Sequence, residues 1–276
     1  METSIDIDSV GQLLRTIAAT EIMPHWRTLR PQDIDTKSGP GDLVTIADRK
    51  AEAALGRTLT ELLPGSVVAG EETFAADPDC LAHLDGAAPV WIIDPIDGTG
   101  AFTRGEETFG SMVALAQGQD LLAAWILQPV TGDLYQGARG AGVRRISASG
   151  IVTRLEPRPP LDPLSMTGIV SATVFLDGTR IIRDRLGGHF REIRPMSCPA
   201  MDYPTLLRDE VHFTAYAKCL PWDHLPGLML LAEAGFSYAK LDGSPYRVGD
   251  MEGGVLCAPA RDGWTAIRRG LLEAQG

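Results

Sequence analysis

Apolar residues recur along this chain in two different rhythms. Between residues 8 and 30, Val10, Leu13, Leu14, Ile17, Ala18, Ile22 and Trp26 fall at helical spacing. A 3.6-residue period of this kind predicts an amphipathic helix. Asp8 or Ser9 is suited to cap it, and Pro24, which has no N–H, is expected to kink it or end its first part. A polar Gly/Pro-rich loop follows over 31–42. A second helix is predicted over 45–63, with Ala51, Ala54, Leu55, Leu59 and Leu62 on one face. Thr45 and Asp48 form its capping box, with Asp in place of Glu, and Pro64-Gly65 stops it.

The rhythm then shortens. Apolar runs at 66–69, 90–93, 111–116, 121–127 and 133–137 are separated by turn residues such as Gly118-Gln119 and Thr131-Gly132. That spacing predicts an antiparallel meander. After a proline-rich, polar stretch at 150–165, strand-like runs at 168–172, 190–193, 237–240 and 255–258 alternate with helix-like ones at 200–208, 223–234 and 264–274. The whole reads as α/β, of the α+β type. Its 276 residues suit two domains, expected over 1–146 and 147–276.

Composition narrows the function. A formal charge of −11 gives no electrostatic footprint for nucleic acid or an anionic membrane. Cys80, Cys198, Cys219 and Cys257 form no C-x-x-C pair and have no zinc-ligand spacing. They read as reduced thiols in a cytoplasmic protein. The first residues carry acids where a secretory signal has lysines, and no apolar run approaches the roughly 20 residues that span a bilayer. Neither a P-loop nor a G-x-S-x-G nucleophile turn is present.

Three acidic clusters sit at the end of an apolar run or the start of a helix. In Trp91-Ile92-Ile93-Asp94-Pro95-Ile96-Asp97-Gly98-Thr99, a strand delivers Asp94, and Pro95 is expected to end that strand. Asp97 follows across a tight turn. Two carboxylates on one turn repel unless a cation lies between them. These hard oxygens, with the Ile96 carbonyl, suit magnesium, and the amides of Gly98 and Thr99 suit a phosphate. Glu71, in Gly70-Glu71-Glu72, also follows an apolar run, although a Glu pair there also fits a solvated loop. Asp223 opens a helix in Pro221-Trp222-Asp223-His224, where capping and metal ligation are both compatible with one carboxylate. His224 reads as a solvent-exposed residue at a helix start, and Trp91 and Trp222 as core anchors.

In this order, Asp42-Leu43-Val44-Thr45 to Asp48, Gly70-Glu71-Glu72, W-I-I-D-P-I-D-G-T and Pro221-Trp222-Asp223 resemble the inositol monophosphatase family over nearly the whole chain. The resemblance implies a layered αβαβα sandwich of the inositol monophosphatase/fructose-1,6-bisphosphatase kind. It implies magnesium-dependent, lithium-sensitive hydrolysis of a small phosphorylated metabolite, with two or three Mg²⁺ ions, in a homodimer. By position, Glu71, Asp94, the Ile96 carbonyl, Asp97 and Asp223 would hold the ions. Glu71 and Thr99 would orient the attacking water, Asp48 would support them, and Lys37 would lie nearby. Gly98 and Thr99 would bind phosphate.

The departures from the family pattern fall outside the ligands. Gly100-Ala101-Phe102 replaces the usual T-N-F, His224-Leu225-Pro226 follows the W-D pair, and Pro195 to Ala200 replaces S-x-G-[ST]-A-A. Tyr216 stands where inositol-acting members carry a Glu. Arg194, Tyr216 and Lys218 are therefore candidate substrate-pocket residues. The expected substrate extends to histidinol phosphate, a sugar bisphosphate or a 3′-phosphoadenosine nucleotide, and the alternative is a non-catalytic metal- and phosphate-binding regulator.

Overall fold

The structure, a computed structural model, describes residues 5–37, 39, 42–158 and 162–274. Helix α1 (Ile7–Ile17) is capped by Asp6, whose carboxylate accepts from the Asp8 amide, rather than by Asp8 or Ser9 as the spacing suggests. It runs into a single π turn, Ala18–Ile22, and ends before Pro24. The chain beyond is turns rather than a continued helix, because a proline N has no hydrogen to bond back. The short pair β1 (Ile34–Thr36) and β2 (Leu43–Thr45) leads to α2 (Ile46–Leu62).

A seven-stranded sheet follows: β3 (Val67–Gly70), β4 (Pro89–Asp97), β5 (Gly110–Gln117), β6 (Asp120–Gln128), β7 (Asp133–Ala138), β8 (Gly142–Ile146) and β9 (Val152–Leu155), paired in chain order. The short helices α3 (Glu71–Ala76) and α4 (Thr99–Thr103) leave β3 and β4. Only β3 and β4 pair in parallel; the rest is the expected antiparallel meander. Strand β9 lies beyond residue 146, the division expected from the sequence.

The second sheet has the order β13-β10-β14-β16-β15: β10 (Thr167–Val170), β13 (Glu192–Pro195), β14 (Phe213–Tyr216), β15 (Phe236–Lys240) and β16 (Val255–Pro259). A separate hairpin of β11 (Thr173–Leu176) and β12 (Thr179–Ile182) precedes β13. Helices α5 (Pro199–Leu207), α6 (Pro221–Glu233) and α7 (Ala260–Glu273) complete the chain.

Side-chain alternation stacks these elements into five layers. Trp91, Ile93, Val113 and Trp125 point from the first sheet to Val10, Leu14, Leu55 and Leu59 of α1 and α2. Ile92, Ala114 and Ile126, on its other face, meet Tyr203, Leu206, Leu228 and Leu231 of α5 and α6, which also cover Val255 and Cys257 of the second sheet. Leu256 and Ala258 turn the opposite way, to Ile267 and Leu271 of α7. The order is α, β, α, β, α. Trp91 is a core anchor, its indole N–H donating to Ser66 Oγ at 3.0 Å. All four cysteines are buried thiols. Among the described residues no helix is long and apolar enough to cross a membrane.

Candidate active site

Strand β4 carries the centre of the site. Contrary to the sequence expectation, it does not stop at Pro95. Asp94 pairs with Met112 and Asp97 with Gly110, so three steps on β4 match two on β5. This β-bulge absorbs Pro95, which has no N–H to offer the ladder, and re-aims the two aspartates. Gly98 then takes φ +90°, and a Cβ there would lie 2.8 Å from the Thr108 carbonyl oxygen. Only glycine fits that turn.

Both aspartates are buried, Asp94 to 2% exposure and Asp97 to 8%. Burial, followed by the charges of Glu71, Asp97, Asp223 and Asp48, holds the Asp94 carboxyl well above the usual carboxylate range. Its Oδ1 is shielded from solvent and has no hydrogen-bond partner among the described residues. Asp97 is pushed up to about 7, chiefly by burial, against the opposing pull of hydrogen bonds from the Ala200 amide, the Cys198 thiol and the Gly98 amide.

Asp223 sits in the first turn of α6 but does not cap it; the cap position is Leu220 and no side chain serves there. With capping removed as an explanation, its half-buried carboxyl is held well above the ordinary range by burial, Asp97 and Glu71, opposed by Lys218 and Lys37. His224 beside it is not at the surface. It is 2% exposed, its Nδ1 is 2.8 Å from the Tyr203 hydroxyl, and burial pushes its pKa down to about 3.

Asp48 enters from α2. Its Oδ2 accepts from the Thr45 amide at 2.8 Å and the Thr45 hydroxyl at 2.5 Å, the capping box read from the sequence. Its Oδ1 is 3.3 Å from Thr99 Oγ1, which also donates toward the Ile96 carbonyl at 2.9 Å. Burial raises Asp48 to about 6, against the Thr45 bonds. One turn further along α2, Glu52 accepts from the Glu72 and Thr73 amides at 2.8 and 2.7 Å and so fixes the start of α3. A Cβ on Gly70 would lie 2.4 Å from the Glu52 carboxyl, so the glycine gives that carboxyl its room.

Glu71 and Glu72 both accept from Lys37 Nζ, at 2.7 and 2.5 Å. Burial lowers the Lys37 pKa, but the two glutamates outweigh it and raise it above its ordinary value. Glu72 is pushed up to about 7 by burial, with Lys37 opposing. Among the described residues no three His, Cys, Asp or Glu side chains already converge as a ligand set. On the Glu71 side an ammonium balances the charge, whereas Asp94 Oδ1 has no partner among the described residues. The donors are all oxygens, and a buried carboxylate oxygen without a partner costs free energy until a cation or proton reaches it. The set therefore fits a hard divalent cation.

A cavity of about 1080 Å³ opens beside Glu71, Glu72 and Lys37, walled by Val44, Phe74, Leu220 and Trp222. Trp222 packs against Phe74 at 5.1 Å between ring centroids. Of the three pocket candidates only Lys218 lines this cavity. Arg194 pairs with Glu192 at 2.9 Å on β13. Tyr216 is 2% exposed, its hydroxyl turned to Asp202 at 3.4 Å. Sequence reasoning missed Asp202, Glu52 and the Ala200 amide. Glu52 had a visible signal, since with Asp48 it interrupts the apolar face of α2 at i, i+4 spacing.

A model described as the inositol monophosphatase family matches residues 6–274. An inositol-1-monophosphatase of Bacillus subtilis is 28% identical over 77% of this chain and 78% of its own. One of Rhizobium meliloti is 30% identical over 77% of this chain and 78% of its own. Among solved structures, an IMPase of Thermotoga maritima superposes with a TM-score of 0.74 at 20% identity, covering 97% of this chain and 98% of that one.

Proposed function

Because the chain belongs to the inositol monophosphatase family, and is with it a phosphoric monoester hydrolase, we propose that it hydrolyses a small-molecule phosphate monoester with two or three magnesium ions as cofactor. The observation that carries the reading is the buried, unpartnered Asp94 Oδ1, with the charges of Glu71, Asp97, Asp223 and Asp48 around it. Glu71, Asp94, the Ile96 carbonyl, Asp97 and Asp223 would hold the ions. Bound divalent cations neutralise charge building on the phosphoryl oxygens and make water a better nucleophile.

The chain's own residues do the rest. Thr99 Oγ1, with its proton directed to Asp48 Oδ1 or the Ile96 carbonyl, keeps lone pairs that accept from a water and aim it. Asp48, raised to about 6, takes the proton that this water sheds through Thr99, because its Oδ2 is already fixed by Thr45. The amides of Gly98 and Thr99, at the turn into α4, receive the phosphate oxygens. As the water oxygen bonds to phosphorus the ester P–O bond breaks, and the leaving alkoxide takes its proton from water in the cavity walled by Val44, Phe74 and Leu220.

The proposal extends to phosphate monoesters rather than to inositol phosphates in particular. A polyol needs hydrogen-bond partners for its hydroxyls, and a missing partner shifts discrimination strongly. Tyr216, buried against Asp202, offers none to the cavity. The test is phosphate release from a panel of inositol, sugar, histidinol and nucleoside phosphates, with magnesium and with EDTA. Release from one or two compounds, abolished by EDTA, is the expected result. Release that survives EDTA would overturn the metal reading, and magnesium binding without any release would favour a regulator.

A further inference from the structure

We propose that Asp202, a residue of α5 outside every motif of the site, is a positioning residue that sets the cation affinity of Asp97. The inference rests on the reading of Asp97 as a metal ligand. Asp97 Oδ2 accepts from the Ala200 amide at 2.5 Å, so one of its two oxygens is aimed by the backbone of residues 197–200. The same stretch brings Cys198 Sγ to 3.7 Å from the Asp97 carbonyl oxygen and to the same distance from that of Thr108.

Pro199 at the first position of α5 pre-sets the helix start, but it has no N–H, and no side chain caps α5 at Cys198. Asp202 supplies the tie. Its carboxylate folds back along α5, and both oxygens accept from the Ser197 amide at 3.3 Å. Its Oδ2 also takes the Tyr216 hydroxyl at 3.4 Å from β14. Gln128 Nε2 of β6 donates to the Ala200 carbonyl at 3.2 Å and closes the other side. The path therefore runs from β14 through Tyr216 and Asp202 to Ser197, along the backbone that enters α5 to Ala200, and into Asp97. Asp202 is 3% exposed, in a place where an acid would be costly without a purpose for its acceptors. Groups that orient metal ligands without touching the metal typically change affinity by about 10–100-fold when removed.

The test is calorimetric titration of the full-length protein with magnesium and manganese, beside thermal unfolding and a kcat against KM split. Asp202→Ala is expected to weaken cation binding at least about tenfold, lowering kcat at saturating substrate but limiting cation while leaving KM nearly unchanged. Asp202→Asn, whose amide oxygen still accepts from Ser197, is expected to bind cations within about threefold of the parent. If Asp202→Ala does not fold, Asp202→Ser, whose shorter side chain leaves the Ser197 amide unpaired, is held to the same criterion. A folded Asp202→Ala or Asp202→Ser protein that binds cations as tightly as the parent would overturn the inference. A parent protein that binds neither cation would instead overturn the metal reading on which it rests.

Discussion

Asp97→Asn separates the site's stability from its activity. The Asp97 carboxyl rises from an ordinary 3.8 to about 7 in the fold, chiefly through burial. Between those two values the folded protein keeps a proton that the unfolded chain has shed. Stability of the metal-free protein therefore falls as pH rises from about 4 to about 7, at about 1.4 kcal/mol per pH unit. The full gap sets a ceiling of about 4 kcal/mol. Sharing of the proton with neighbouring Asp94 and Asp223 reduces the expected cost to about 1–3 kcal/mol. Asparagine carries no charge, and its oxygen still accepts from the Ala200 amide. In EDTA, Asp97→Asn should melt about 3–9 °C above the parent at pH 8 and level with it at pH 4. With magnesium the order should reverse. A cation at 100 times its dissociation constant stabilises by about 2.7 kcal/mol, and the variant should lose most of that together with most phosphate release. Differential scanning calorimetry at the two pH values, with and without magnesium, checks all of this. A variant no more stable than the parent at pH 8 in EDTA would refute the claim that Asp97 is held against burial and repulsion.

Further substitutions probe the parts that aim the site. Gly98→Ala, forced to φ +90° with its Cβ 2.8 Å from the Thr108 carbonyl oxygen, should cost about 2–4 kcal/mol in urea unfolding; a loss below about 0.5 kcal/mol would contradict the turn described. Thr45→Ala removes a helix cap worth about 1 kcal/mol and leaves Asp48 with only one of its two Thr45 donors. Activity should therefore fall further than that stability loss explains, and the activity limb governed by Asp48 near pH 6 should shift in a pH–rate profile. Trp91→Phe loses the hydrogen bond to Ser66 and should cost about 1 kcal/mol while leaving magnesium-dependent turnover unchanged, a control for damage to the core behind the site.

The layers were legible in the sequence where periodicity was strong. The 45–63 helix and its Thr45/Asp48 box, the meander, and the helices after residue 200 all stand in the structure close to their expected places. The first helix ends before Pro24, as its missing N–H led one to expect, although Trp26 keeps the apolar period beyond it. What failed did so for nameable reasons. Pro95 was expected to end β4, but a bulge lets the strand pass it. His224 was put at the surface because a helix start is usually wet. Here it lies between α5 and α6, where Tyr203 satisfies its ring. Tyr216 was a pocket candidate from its position before the W-D pair and Arg194 from its residue type, and neither reveals that Arg194 pairs with Glu192 on β13 or that Tyr216 closes on Asp202. Contacts between residues a hundred positions apart, such as Ala200 to Asp97, leave no periodic trace.

Six acids in and around the site fall into three kinds, and the difference says where a ligand belongs. Asp48, Glu52 and Asp202 each accept hydrogen bonds from backbone amides or hydroxyls, two or more apiece. The surrounding chain thus has donors to give, and it gives them to acids that brace other residues. Glu71 and Glu72 take an ammonium instead. Asp94, with the charges of Glu71, Asp97, Asp223 and Asp48 around it, has an oxygen with no partner among the described residues. A fold that satisfies its bracing carboxylates and leaves bare the one at the centre of the repulsion has not run short of donors. Pairing Asp94 with an amide would make the apo protein more stable, but it would fill the position a cation must take. The asymmetry is what a site loses in stability when its missing partner comes from solution, and Asp97→Asn in EDTA measures the part of that loss carried by its neighbour.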